Sequence, residues 1–268
     1  MDIVLLTDFG TKDPYAGVLK GVIAQLAPEA RVIDLTHEIP PFDVTAGALA
    51  LFQSYRYFPK GTIFLSVVDP GVGSERRPIL IQTKNYFFVG PDNGLFTLAF
   101  SGEKPEKIIH LTEEKYFLPS VSATFQGRDL FAPVAAYLSR GEAPERFGYS
   151  LEDYTRLEGL IPEVKKGEII GKVLHVDRFG NALTNFSKGF LKRHFPSLEF
   201  FLTVKKKKIT PLKTHYAEGE GKKPFLLFGS SNLLEISVNQ GSAAQALKIE
   251  RGDAVSVKGA TSSPRRGR

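Results

Sequence analysis

The chain contains no cysteine. Disulfides, thiolate nucleophiles and thiolate metal sites are therefore excluded together. It has no tryptophan and a single methionine, so its core must be built from aliphatic residues and 21 phenylalanines. No apolar run approaches the roughly 18 residues of a membrane span. The opening Met1-Asp2-Ile3-Val4-Leu5-Leu6 enters a strand pattern at once, without the basic region and cleavage site of a secretory signal. A cytoplasmic location is the expectation. The five histidines are scattered without ligand spacing, so no metal site is expected. There is no P-loop, no Gly-x-Gly-x-x-Gly after the first strand and no Gly-x-Ser-x-Gly. Internal repeats and low-complexity tracts are also absent.

What is present suffices for one large domain or two ordinary ones: 268 residues, 42% of them hydrophobic. The net charge of +6 is unevenly spread, with Lys205-Lys206-Lys207-Lys208 and the tail Pro264-Arg265-Arg266-Gly267-Arg268 supplying much of it. These runs read either as a nucleic-acid surface or as a solvated hairpin and a frayed tail.

One stretch organises the rest: Ile63-Phe64-Leu65-Ser66-Val67-Val68-Asp69-Pro70-Gly71-Val72-Gly73-Ser74-Glu75-Arg76-Arg77. Its apolar, β-branched start reads as a strand buried on both faces. Asp-Pro-Gly then breaks it, because Pro70 restricts φ and Gly71 and Gly73 allow positive φ or close backbone approach. A carboxylate so placed, with two arginines following, sits at the strand edge where open α/β sheets bind ligands. The alternative is an Asp that caps its own turn beside solvated arginines.

Around it, strands are expected at Ile3–Leu6, Val32–Leu35, Ile79–Thr83, Tyr86–Val89 and Lys107–Leu111, the third and fourth as a hairpin. Helices are expected over about Ala16–Leu26, Val44–Tyr57 with Asp43 as N-cap, and Arg128–Leu138, with a short one after Pro91-Asp92-Asn93-Gly94. The alternation argues an α/β domain with a mostly parallel sheet over residues 1–149. A polar stretch at 150–166 reads as a linker. Short, closely spaced strands at Ile169–Val176, Glu199–Val204, Phe225–Phe228, Leu233–Val238 and Ala254–Val257 argue a small all-β, barrel-like domain over 167–259. Residues 260–268 form a basic tail, expected to be disordered.

Three polar loops end elements of the first domain: Asp8 with Asp13, Asp69 with Arg76, and Gln126 with Arg128 and Asp129. A parallel sheet would put the first two on one edge. Asp8 can accept both hydroxyls of a ribose, or cap the Ala16 helix. In the second domain, Asp177-Arg178-Phe179-Gly180-Asn181 offers an aromatic face for a base and an amide for a purine edge, or is an ordinary turn. Phe228-Gly229-Ser230-Ser231-Asn232 offers hydroxyls and backbone N–H groups that could hold a carboxylate.

Seven motifs occur in order: Thr7-Asp8-Phe9-Gly10; His37-Glu38-Ile39-Pro40-Pro41-Phe42-Asp43; Val68-Asp69-Pro70-Gly71-Val72-Gly73 with Arg76-Arg77; Gly90-Pro91-Asp92-Asn93-Gly94; Thr124-Phe125-Gln126-Gly127-Arg128-Asp129; Asp177-Arg178-Phe179-Gly180-Asn181; and Gly229-Ser230-Ser231. Together they resemble the S-adenosyl-L-methionine hydroxide adenosyltransferase family, relatives of the fluorinase and chlorinase enzymes. The resemblance spans nearly the whole chain except the Lys-rich segment and the tail.

It implies a homotrimer, with each site between the first domain of one subunit and the second domain of its neighbour. The implied reaction is water plus S-adenosyl-L-methionine giving adenosine and methionine, without metal or cofactor. By the same resemblance Asp8 would hold the ribose diol and Phe42 would wall the sugar. Phe179 and Asn181 would hold adenine; Asp13, Asp177 and Ser230 would hold the methionine end. Asp69 and Arg76 would belong to an Asp–Arg–His triad that positions water. In the halogenating relatives a Tyr replaces this Asp, so Asp69 argues against halogenation here. The family pattern reads Thr-Phe-His-Gly-Arg-Asp, and its third position here is Gln126. Gln donates and accepts hydrogen bonds but takes no proton near neutral pH. Two rivals follow: a protein that binds S-adenosyl-L-methionine or adenosine with little turnover, and a nucleic-acid-binding module using the basic second half.

Overall fold

The computed structural model describes residues 1–101 and 103–260. The chain divides into two compact units, Met1–Leu157 and Glu158–Arg268. Of the basic tail at 260–268, residues 261–268 lie outside the described residues, while the Ala260 N–H donates to the Glu199 carbonyl at 3.1 Å.

The first unit contains β1 (Asp2–Thr7), α1 (Tyr15–Leu26), β2 (Arg31–Thr36), α2 (Val44–Ser54), β3 (Ile63–Val67), β4 (Pro78–Thr83), β5 (Phe87–Pro91), β6 (Pro105–Leu111), α3 (Ala132–Ser139) and β7 (Gly148–Ser150). Its seven strands run in the order β2-β1-β3-β5-β4-β6-β7. The expected mostly parallel sheet is in fact mixed. β2-β1, β1-β3 and β3-β5 pair parallel, whereas β5-β4, β4-β6 and β6-β7 pair antiparallel. Parallel pairing needs a crossover, usually a helix, and α1 and α2 supply it only for the first strands. Among the described residues no α-helix separates β4, β5 and β6. The short helix expected after Gly94 is a run of turns ending in a 3-10 turn, Ala99–Ser101.

β3 is buried along its whole length. Ile63, Leu65 and Val67 pack with Leu19 and Ile23 of α1 and Val134, Ala135 and Leu138 of α3. Phe64 faces the opposite layer, where Tyr55, Tyr86 and Phe88 surround it with ring centroids 5.4–6.3 Å away. Burying apolar groups on both faces is what a continuous apolar run without polar alternation requires. Asp43 caps α2, its Oδ1 accepting from the Ala46 N–H at 2.9 Å.

The second unit contains β8 (Glu163–Lys165), β9 (Glu168–Val176), β10 (Ala182–Ser187), α4 (Lys188–His194), β11 (Phe200–Val204), β12 (Lys207–Ile209), β13 (Phe225–Phe228), β14 (Leu233–Ser237), α5 (Ala243–Leu247) and β15 (Ala254–Gly259). Its eight strands run β12-β11-β15-β9-β10-β14-β13, with β8 paired to β9, and every pair is antiparallel. A bridge between Leu212 and Leu226 brings the chain beyond β12 to β13, so the sheet is nearly closed and barrel-like. The polar stretch at 150–166 carries β8. Sequence reading did not anticipate β10, whose six residues are almost wholly buried, nor the helices α4 and α5. The Lys-rich run folds as the β11–β12 hairpin, with Lys205 and Lys206 at positive φ in its two-residue turn. Lys205 pairs with Asp253 at 3.0 Å, and the Lys208 ammonium lies 3.8 Å from the Phe201 ring centroid.

Candidate active site

β1 has β2 on one side and β3 on the other, both parallel to it. The chain order thus reverses at β1, and the crevice at the carboxyl ends of β1 and β3 is a topological switch point. Thr7 and Val67 are register partners there, so Asp8 and Asp69 emerge from neighbouring strands. Between them lies a cavity of about 260 Å³ lined by Asp8, Phe42, Asp69 and Gln126 among others.

Asp69 and Arg76 form a close ion pair whose side chains are only 5% and 9% exposed. Arg76 Nε donates to both carboxylate oxygens, at 3.0 and 2.9 Å, and Nη2 donates to Oδ2 as well. The same Nη2 donates to Gln126 Oε1, joining the three residues in one network. The Phe131 ring lies beneath the guanidinium, 5.4 Å from centroid to Cζ. The reading of Asp69 beside solvated arginines is therefore overturned: burial forces the charges to pair. Arg77 is engaged too, donating to the buried Asp92 at 2.7 Å and to Asp153 at 3.0 Å. Burial would lower its pKa, but these two carboxylates outweigh that and raise it. Asp92 Oδ1 also accepts from the Thr155 N–H at 2.7 Å, so both ends of the 69–77 loop are anchored.

Gly73 joins this loop to the Gln126 loop. Its φ is +78°, and a Cβ there would stand 2.5 Å from the Ala123 carbonyl oxygen. Gln126 precedes a π-helical turn, Gly127–Phe131, that runs into α3. Within that turn the buried Asp129 accepts from the Ser122 N–H at 2.8 Å and from Arg128 Nε at 2.6 Å, which fixes the loop carrying Gln126.

Asp8 does not cap α1, whose N-terminus at Pro14 has no side-chain cap. Instead Asp8 Oδ2 accepts from the Phe42 N–H at 2.8 Å. Phe42 has φ +66° and is 71% exposed, an uncommon conformation for a bulky residue and one held here by the Asp8 bond. Asp13 is exposed in the turn before α1 and does not line the cavity. Sequence reading missed the aromatic wall formed by Phe9, Tyr15 and Phe125, whose ring centroids lie 5.2–5.9 Å apart. Phe9 and Phe125 adjoin Asp8 and Gln126 in sequence, which was the available signal.

In the second unit Asp177 organises its own turn. Oδ1 accepts from the Phe179 and Asn181 N–H groups at 2.9 and 2.8 Å, and Oδ2 accepts from Asn181 Nδ2 at 2.9 Å. Phe179 is left 77% exposed, while Asn181 is buried. Ser230 is exposed in the Gly229–Asn232 turn, closed by Asn232 N–H to the Gly229 carbonyl at 2.9 Å. A buried residue not foreseen, Glu235, stands against Gly229, where a Cβ would fall 1.7 Å from its Oε1. Tyr216 donates to Glu235 Oε2 at 2.9 Å. Burial raises the Glu235 pKa, and the Asp177 charge adds to that against the Tyr216 bond. Among the described residues no group of three or more His, Asp or Glu could hold a metal ion. No helix among them is long and apolar enough to cross a membrane.

The chain is similar to known proteins over nearly its full length. The chain is 39% identical over 259 residues to an (R)-S-adenosyl-L-methionine hydrolase of Thermus thermophilus, covering 93% of this chain and 96% of that protein. It is 35% identical to the enzyme of that name from Methanocaldococcus jannaschii, covering 95% of each. A fluorinase of Actinopolyspora mzabensis is more distant, at 23% over 287 residues and 95% and 96% coverage. The crystal structure of an uncharacterized conserved protein from Thermotoga maritima superposes with a TM-score of 0.84 at 36% identity, covering 96% of this chain and 99% of that one. Family models for the SAM hydroxide adenosyltransferase N-terminal and C-terminal domains match residues 3–148 and 171–256. With both domains matched in order, the chain belongs to the SAM hydroxide adenosyltransferase family.

Proposed function

We propose that this protein hydrolyses S-adenosyl-L-methionine to adenosine and L-methionine. The observation that carries the reading is the buried Asp69–Arg76 pair, joined to Gln126, at the wall of the switch-point cavity. Its support is the near full-length similarity to S-adenosyl-L-methionine hydrolases.

The substrate carries a sulfonium, already a good leaving group, so the site needs to hold water in line with C5′ and to keep other solvent away. Water oxygen bonds to C5′, the C5′–S pair withdraws onto sulfur, and methionine leaves as a neutral thioether. As attack completes, the water's extra proton passes to bulk water, which leaves the 5′-hydroxyl of adenosine. Asp69 accepts a hydrogen bond from the water, Arg76 fixes the carboxylate, and Gln126 donates to the water from its amide nitrogen. The Phe9, Tyr15 and Phe125 rings suit a sulfonium, because aromatic faces attract cations. A carboxylate at the nucleophile position disfavours halide, which separates this reading from fluorination.

Asp8 takes the ribose diol and Phe42 walls the sugar. Asp13, Asp177 and Ser230 take the methionine end, and Phe179 and Asn181 take adenine. We extend the reading to a homotrimer in which the Asp177, Phe179, Asn181 and Ser230 groups come from a neighbouring subunit. A second reading, binding with little turnover, draws on Gln126, which takes no proton. One experiment tests both. The protein is incubated with S-adenosyl-L-methionine in ¹⁸O-water, and the products are separated and weighed by mass spectrometry. Equimolar adenosine and methionine are expected, with the label in the adenosine 5′-hydroxyl. Intact substrate bound one to one would instead establish the binding protein.

A further inference from the structure

The two loops that carry Asp8 and Phe42 are stitched together behind the cavity by a buried histidine that the reaction does not use. Thr7 is fully buried and its Oγ1 lies 2.8 Å from His37 Nδ1. His37, 5% exposed, has its Nε2 3.1 Å from Asp34 Oδ1. Asp34 Oδ2 accepts from Lys20 Nζ at 2.6 Å. Burial alone would raise the Asp34 pKa, but the bonds from Lys20 and His37 outweigh it and hold the carboxyl below its usual range.

These contacts orient the ring of His37 between Thr7 and Asp34. An ionised carboxylate only accepts, so His37 Nε2 carries a proton, and in the neutral ring Nδ1 is then the acceptor. Thr7 therefore donates to Nδ1. Its oxygen keeps a lone pair for the Phe9 N–H, 3.3 Å away. Two backbone bonds continue the stitching, from the Gly10 N–H to the His37 carbonyl at 2.8 Å and from the Ile39 N–H to the Thr7 carbonyl at 3.4 Å. Asp8 lies between Thr7 and Phe9, both of which this chain of bonds holds.

We propose that His37 is a positioning residue for substrate binding: through Thr7 it sets the Asp8 carboxylate that takes the ribose diol. The proposal rests on the reading of Asp8 given above. Thr7, His37 and Asp34 are in the order of a nucleophile, base and orienting acid, but Thr7 is wholly buried, so the chain of bonds orients and does not attack.

The two arms can be cut separately. A Gln side chain places its amide near the Nε2 position, so His37→Gln keeps the Asp34 link and loses the acceptor for Thr7. An Asn oxygen lies near the Nδ1 position, so His37→Asn keeps the Thr7 link and loses Asp34. Thr7→Val removes the hydroxyl at constant size, and Thr7→Ser restores it. The readout is calorimetric affinity of the full protein for adenosine and for 2′,3′-dideoxyadenosine, which lacks the diol. The wild type is expected to prefer adenosine by about tenfold or more, the usual worth of bonds to a charged group. His37→Gln and Thr7→Val should bring that preference to about threefold or less with dideoxyadenosine affinity held, while His37→Asn and Thr7→Ser keep it. A preference that survives in His37→Gln and Thr7→Val overturns the inference alone. Equal loss for both nucleosides means a general packing role and overturns it too. A wild type indifferent to the diol overturns the Asp8 assignment, and this inference with it.

Discussion

Replacing Gln126 by His separates two accounts of how water is used. Arg76 Nη2 donates to Gln126 Oε1, and a guanidinium has no acceptor. The amide oxygen is thus turned to Arg76, which leaves the amide hydrogens on the other branch to donate to a water in the cavity. An imidazole in the same place meets the same donor. Its unprotonated nitrogen turns to Arg76 and its N–H turns to the water, which repeats the pattern Gln126 already supplies. Gln126→His should therefore change the rate by less than about tenfold, or roughly 1.4 kcal/mol of barrier. The pH profile should stay flat through neutrality. Were the residue at 126 a general base, the His variant would gain about 10²–10⁴-fold, the usual worth of positioned proton transfer. That gain would carry a rising limb near pH 6.5, where histidine titrates. The assay is single-turnover release of adenosine from pH 5.5 to 8.5 for the wild type, Gln126→His and Asp69→Ala. Asp69→Ala should be the most damaged, because it removes the water's acceptor. A hundredfold gain in the His variant, with the new limb, would refute the positioning account.

Arg76→Met should destabilise the fold by about 3–5 kcal/mol, because it strands the buried Asp69 carboxylate. Urea denaturation reads this, and a loss below about 1 kcal/mol would mean that solvent screens the pair. Glu235 has a folded pKa above its ordinary 4.5, so its contribution is complete below that value and is lost as pH rises through the folded one. Glu235→Gln should flatten that part of the stability profile above pH 4.5, and an unchanged slope would contradict it. Light scattering should give a mass near three chains of 29.6 kDa, and a stable monomer with full adenosine affinity would rule out the shared site.

Much of this was written in local pattern. The apolar run of β3, the Asp-Pro-Gly break after it and the Asp43 cap of α2 depend on neighbours in sequence, and each occurs where local chemistry puts it. The motifs around Asp8, Asp69 and Gln126 were legible for the same reason. The mixed sheet was not, because pairing direction depends on which distant strand β4 meets, even though its hairpin with β5 was read correctly. Nor could sequence choose between a solvated and a paired Arg76. That choice is made by burial, which removes water from Asp69 and leaves the guanidinium as its partner, across 7 residues of loop, with Gln126 arriving from 50 residues further on. Asp8 is similar: its residue type allows a cap or a ligand, and the Phe42 N–H from the loop after β2 settles which backbone it holds. The sequence by itself determined which chemical groups are present and where strands end. Only the tertiary structure decided which of them share a low-dielectric space, because desolvation belongs to position in the fold and not to any residue alone.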